Sequence, residues 1–124
     1  MRNVLEGTQD EVVHLTGKLL RDEHIETLVA HVGTHRVELH LRNNQIGDEG
    51  AQVLAGAALP HMEYLSLSSN RVGERGARAL VEALSRGAWP RLRQLYLGGN
   101  EVGAEQRAAL KECCQQRDIS APYL

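Results

Sequence analysis

The chain of 124 residues carries 14 Lys and Arg against 16 Asp and Glu, is 42% hydrophobic, and contains no Phe and only 3% aromatic residues. That length and balance suit one folded domain rather than a disordered tail. A formal charge of -2 argues against nucleic acid or an anionic membrane as partner. The scarcity of rings argues against a base-stacking surface for single strands and leaves Leu, Val, Ile and Ala to build a layered core.

Taken in chain order, Met1 to Gly7 lack the apolar stretch of a secretory signal, and no later run is long enough to cross a bilayer, so a cytoplasmic location is expected. Residues 1–10 are assigned to an N-terminal cap. Self-similarity then begins. Val13-x-Leu15-x-x-Lys18-x-Leu20 is a degenerate copy of three stricter units: Leu39-x-Leu41-x-x-Asn44-x-Ile46, Leu65-x-Leu67-x-x-Asn70-x-Val72 and Leu95-x-Leu97-x-x-Asn100-x-Val102. Leu15, Leu41, Leu67 and Leu97 lie 26, 26 and 30 residues apart, with Ser85-Arg86-Gly87-Ala88 read as the excess in the last interval. The repeats span 11–116 as units 11–36, 37–62, 63–92 and 93–116, and 117–124 form a C-terminal cap.

Within each unit, the alternating leucines predict a short strand with both Leu side chains on one face. A turn follows, Gly47-Asp48-Glu49-Gly50 or Gly73-Glu74-Arg75-Gly76, and then a helix with one apolar side: Ile25, Leu28, Val29 and Val32; Ala51, Leu54 and Ala55; Ala77, Leu80, Val81 and Leu84. Asp22 and Asp48 are read as N-caps of their own helices, and Gly50 and Gly76 as sites of close packing. Leu59-Pro60 and Trp89-Pro90 stand at equivalent points of strand re-entry, which marks Trp89 as a core plug rather than an exposed anchor. In the last unit Arg107 replaces the small Ala51 and Ala77, and Ala104 replaces the acidic cap, as suits a terminal repeat.

The motif Leu-x-Leu-x-x-Asn-x-(Ile/Val)-Gly followed by an Ala/Leu helix resembles the ribonuclease-inhibitor-like leucine-rich repeats, a family that includes nucleotide-sensing immune receptors and Ran GTPase-activating protein. The resemblance covers residues 10 to 116 and implies an α/β fold. Its form is a right-handed solenoid, a short horseshoe arc with a concave parallel sheet and convex helices.

Asn44, Asn70 and Asn100 stand where each strand turns inward. Their amides both donate and accept, so they are expected to form a structural ladder with backbone groups of their own and neighbouring repeats. Lys18 replaces Asn in the first unit, where its donor-only ammonium suits a repeat without an outer neighbour.

No phosphate loop, Cys-x-x-Cys pair or His-Glu-x-x-His helix is present, and neither an enzymatic activity nor a cofactor is expected. His14 and His40 occupy equivalent places on adjacent strands, about 5 Å apart, and make at best a weak zinc site. Glu38, one pleat away, is expected to start on the opposite side and so not to complete a third ligand. His24, His31, His35 and His61 read as solvated surface, and Cys114, aligned with Leu84, as a small apolar residue.

The function expected is a non-catalytic scaffold that binds another protein on the strand face. Its anchor is Tyr64 and Tyr96, flanked by Glu38, His40 and Arg42, with Ser66, Ser68, Ser69, Gly98 and Gly99 as low ground alongside. One alternative is regulation of a small GTPase through a loop residue such as Arg42, Arg71 or Arg75, by analogy with Ran GTPase-activating protein. The other is self-association, for instance as a homodimer through the open edges of the first and last strands. A concave face of roughly 200–300 Å² is smaller than the ~800 Å² per partner of a standard interface, so flanking loops or a second copy would have to contribute.

Overall fold

The computed structural model describes residues 10–32, 36–122 and 124. Among them, four strands alternate with four helices: β1 (Asp10–His14), α1 (Ile25–Val32), β2 (Arg36–His40), α2 (Asp48–Ala55), β3 (Met62–Ser66), α3 (Glu74–Ser85), β4 (Gln94–Tyr96) and α4 (Ala104–Gln116). The strands form one parallel sheet in chain order. His14 pairs with His40, Leu39 with Leu65 and Leu65 with Leu95, and an irregularity at Val37/Glu38 admits an extra residue on β3. The first expected cap, residues 1–10, lies outside the described residues except for Asp10, which opens β1. His35 lies outside them too.

Alternation sets the two faces of the sheet. Val37, Leu39 and Leu41, with Leu65, Leu67, Leu95 and Leu97, are buried against the helices, each contributing roughly 1.5–3 kcal/mol of apolar burial. The helices present Ile25, Leu28, Val32, Leu54, Leu80, Leu84 and Leu110 to the same core, and adjacent helices pack on one another. Trp89 is 1% exposed, in the place of Leu59. The four-residue excess of the third repeat is not the segment from Ser85 to Ala88. It is an added turn of helix, since α3 has 12 residues where α2 has 8 and both are followed by the same short connection to a buried Leu59 or Trp89.

After each strand the chain passes through a left-handed residue: Gly17, Asn43, Ser69 and Gly99, with φ of 67°, 61°, 58° and 76°. This turn directs the following side chain inward, which is how Asn44, Asn70 and Asn100 reach the backbone. Asn70 Nδ2 donates to the carbonyl oxygens of Leu41 at 2.9 Å and Leu67 at 3.0 Å, and its Oδ1 accepts from the Ile46 N–H at 3.0 Å. Asn100 does the same with Leu67, Leu97 and Val72, and Asn44 with Leu15, Leu41, Lys18 and Leu20. Each amide thus joins its own repeat to the preceding one. Lys18 enters this row through its backbone N–H, which donates to Asn44 Oδ1, while its side chain is exposed rather than a donor within the ladder.

The aspartates cap across repeats instead of within them. Helix α2 begins at Asp48 itself, with Gly47 as N-cap and no side-chain cap. Asp48 Oδ1 accepts from the N–H groups of Gly73 at 2.7 Å and Gly76 at 2.9 Å in the next repeat, and Asp22 Oδ1 accepts from Gly47 at 2.6 Å. A carboxylate suits the unpaired N–H groups at a helix start wherever it comes from in sequence. Gly50 and Gly76 therefore lie in the first helical turn, not before it. A Cβ at Gly76 would meet Asp48 Oδ1 at 2.8 Å, and one at Gly50 would meet Asp22 Oδ1 and Ile46 Cγ2 at 2.7 Å. In the third repeat Glu74 is exposed and pairs with Arg78 instead. The position that is Gly50 and Gly76 in earlier repeats is then Gln106, because no carboxylate fills the space.

At the other helix ends, arginines do the stitching. Arg86 Nη2 donates to the Ala55 carbonyl at 2.6 Å, and Arg117 donates to the carbonyls of Leu84, Ala88 and Trp89. Arg117 starts a turn that buries Ile119 and brings Ser120 beside β4, where Leu95 N–H donates to Ser120 O and Ser120 N–H to Arg93 O. The edge of the last strand, expected to be open for self-association, is covered by this tail.

Candidate functional site: a row of rings on the strand face

On the face of the sheet opposite the helices, four rings stand in line: His14, His40 and Tyr96 lie between the paired apolar residues of their strands, whereas in the third repeat Ser66 holds that place and Tyr64 comes two residues earlier. His14 and His40 stack with ring centroids 4.5 Å apart, His40 and Tyr64 stack at 4.2 Å, and Tyr64 and Tyr96 lie tilted at 5.3 Å. One ring from each of the four described strands thus forms a continuous row. Strand spacing of about 4.8 Å brings side chains on one face of neighbouring strands within reach of ring contact. The extra residue on β3 sets Tyr64 opposite Glu38 and Ser66 opposite His40, and the Tyr64 ring leans along the strand to reach the imidazole.

The structure places the anchor residues together. Glu38 is on the same face as His40, two residues away, and its Oε1 lies 3.1 Å from His40 Nε2. This corrects the expectation that Glu38 starts on the opposite side, since positions two apart on a strand share a face. The Tyr96 hydroxyl donates to Gln94 Oε1 at 3.0 Å. Tyr64 is held above the usual phenol range, first by burial, then by Tyr96 and Glu38, against the lowering effects of Ser66 and Arg42. It is a neutral hydroxyl at physiological pH.

Two depressions flank the row. Arg42, Tyr64, Ser66, Ser68, Ser69, Tyr96 and Gly98 line one of ≈520 Å³ at the C-terminal ends of the strands. Another of ≈790 Å³ at the N-terminal ends is lined by Glu38, Glu63, Tyr64, Arg93 and Asp118, among others. Ser66 forms part of the floor of the first and is 4% exposed.

The remaining titratable groups lie apart from the row. His31 lies against Glu11 at 3.0 Å, His24 Nδ1 accepts from the Arg21 N–H, and His61 is exposed. Among the described residues, no group of three or more His, Cys, Asp or Glu side chains is placed to hold a metal ion. Cys114 is buried and its thiol is pushed up to about 11, mainly by that burial and then by Cys113, against a small opposing effect of Arg117. Among the described residues no helix is long and apolar enough to cross a membrane.

Sequence reasoning found the members of the row but not their contact. The alternation does not announce that the rings of His14, His40, Tyr64 and Tyr96 touch, because Tyr64 stands opposite Glu38 rather than His40 and reaches the imidazole only by leaning along the strand. The signal available was the equivalence of His14, His40 and Tyr96, with Tyr64 on the same face two residues before Ser66.

Leucine-rich repeats generally mediate protein–protein interaction and are generally not enzymes. No curated protein matches the chain. Residues 37–55 and 58–81 match the family model described as "Leucine Rich repeat", and with a parallel sheet of alternating strands and helices these two matches support a leucine-rich-repeat family for the chain.

Proposed function

We propose that the chain is a non-catalytic interaction module that recognises another protein through the strand face, with Tyr64 and Tyr96 as anchors and Glu38, His40 and Arg42 at their margin. It is read as a right-handed, ribonuclease-inhibitor-like solenoid, an arc of four repeats capped at both ends. It works in the cytoplasm, where unpaired cysteines such as Cys113 and Cys114 stay reduced. The observation that supports this reading is the ring row itself. Its polar atoms bond to neighbours on the same face rather than to the backbone that holds the repeats together. Tyrosine is enriched at binding hot spots because it offers a large, stiff, amphipathic surface.

The test is a double substitution. Tyr64→Ala with Tyr96→Ala is expected to weaken binding of peptides selected on the wild-type chain by about 2 kcal/mol or more, read by calorimetry. Full retention of affinity would move the site away from the strand face.

A further inference from the structure

The two depressions beside the ring row differ in charge, and the difference specifies what a partner must bring. In the one at the C-terminal strand ends, Arg42 is the single charged side chain and stands beside the hydroxyls of Ser68 and Ser69, whereas Ser66 is buried in the floor and the Tyr96 hydroxyl is committed to Gln94. Arg42 is exposed and makes no ion pair with any described residue. A guanidinium fork beside the Ser68 and Ser69 hydroxyls matches a carboxylate, which accepts two parallel N–H bonds from Arg and further bonds from O–H groups. In the other depression, Glu38, Glu63 and Asp118 face the single Arg93. Arg36 lies 3.4 Å from Glu63, and His40 rests against Glu38. Carboxylates still predominate there, which suits an ammonium or guanidinium group. Tyr64 lines both depressions, so the rings form the wall between opposite charges.

We propose that the partner is a protein segment carrying an acidic side chain for Arg42 and a basic one for the depression of Glu38, Glu63 and Asp118, with an apolar stretch lying over Tyr64 between them. This rests on the interaction reading above and names the chemistry of its ligand. Glu38 and Arg42 stand four positions apart, about 13 Å at ~3.3 Å per residue of extended chain. An extended segment therefore places its two charges four positions apart as well. Complementary charge fixes the register and direction of the segment, which a row of rings alone leaves open.

Random peptides displayed on phage and selected on the full chain supply the probe. The selected sequences are expected to share an acidic and a basic residue about four positions apart. Arg42→Glu should weaken them by about tenfold or more at low salt, and changing the peptide's acidic residue to lysine should restore binding to that variant. Circular dichroism establishes that the variant is folded. Peptides that lose affinity for the Tyr64→Ala/Tyr96→Ala chain but lack the charge pair, or that bind Arg42→Glu as tightly as wild type, overturn the charge assignment and leave the interaction reading standing. Peptides indifferent to the tyrosine pair overturn the interaction reading itself.

Discussion

Two rows of side chains cross the sheet, one of three asparagines and one of four rings, and they use their polar groups in opposite ways. Asn44, Asn70 and Asn100 face inward and bond the backbone of their own and the preceding repeat. His14, His40, Tyr64 and Tyr96 face outward and touch chiefly one another. The inner row is held to one residue type by the backbone groups it must satisfy, because an unpaired buried N–H or carbonyl is costly. The outer row carries no such obligation. Under the proposed function, stability and recognition lie on opposite sides of the same strand-and-turn unit, and substitutions should separate them.

The largest stability effect is expected in the inner row. Asn70→Leu should cost about 1–3 kcal/mol, measured by chemical denaturation, since it strips partners from both Leu41 and Leu67 carbonyls and from the Ile46 N–H. Asn100 is less buried than Asn70, and Asn100→Leu should cost less. An unchanged midpoint for Asn70→Leu would break the comparison outright.

The next effect sharpens it at the helix starts. Gly76→Ala should destabilise by about 1–2 kcal/mol through overpacking, because the new methyl meets the Asp48 carboxylate. Gln106→Ala, at the equivalent place in the last repeat, should change stability by under about 0.5 kcal/mol. Adding Asp48→Ala to Gly76→Ala removes the closest obstruction and leaves Ala51 Cβ and Val72 Cγ1 at 3.0 Å, so the two substitutions should couple by about 0.5 kcal/mol or more in a double-mutant cycle. Strict additivity would show that the aspartate is not what demands glycine.

The last effect appears only in alkali. Cys114 has a folded value of about 11 against an ordinary 9.0. Its neutral thiol is favoured in the folded state, and that contribution is intact below pH 9 and lost as pH rises toward 11. Unfolding followed across this window should show a steeper loss for wild type than for Cys114→Val. Parallel curves would mean that the thiol is solvated.

The repeat was legible because burial is periodic: a leucine at every second place on a strand and at every third or fourth on a helix has only one way to reach a common core. The asparagines were legible for a related reason, their donor and acceptor being needed wherever a strand leaves the sheet. The aspartates were misassigned because sequence proximity suggests a cap for the nearest helix, whereas Asp48 serves the start of α3, one repeat later. The left-handed turn was half visible, in Gly17, Asn43 and Gly99, but Ser69 hides it. Glu38 was set on the wrong side although its spacing from His40 already placed both on one face. The covered edge of β4 depends on Arg117 reaching three carbonyls of the preceding repeat, a contact that no local pattern announces.

The claim that recognition and stability lie on opposite rows is tested most directly by measuring both on one protein, the Tyr64→Ala/Tyr96→Ala chain. The account predicts an unfolding free energy within about 1 kcal/mol of wild type, the modest loss of half-buried cross-strand ring pairs, together with a loss of about 2 kcal/mol or more in binding of the selected peptides. A double variant that binds them with undiminished affinity, or that unfolds as readily as Asn70→Leu, would contradict it.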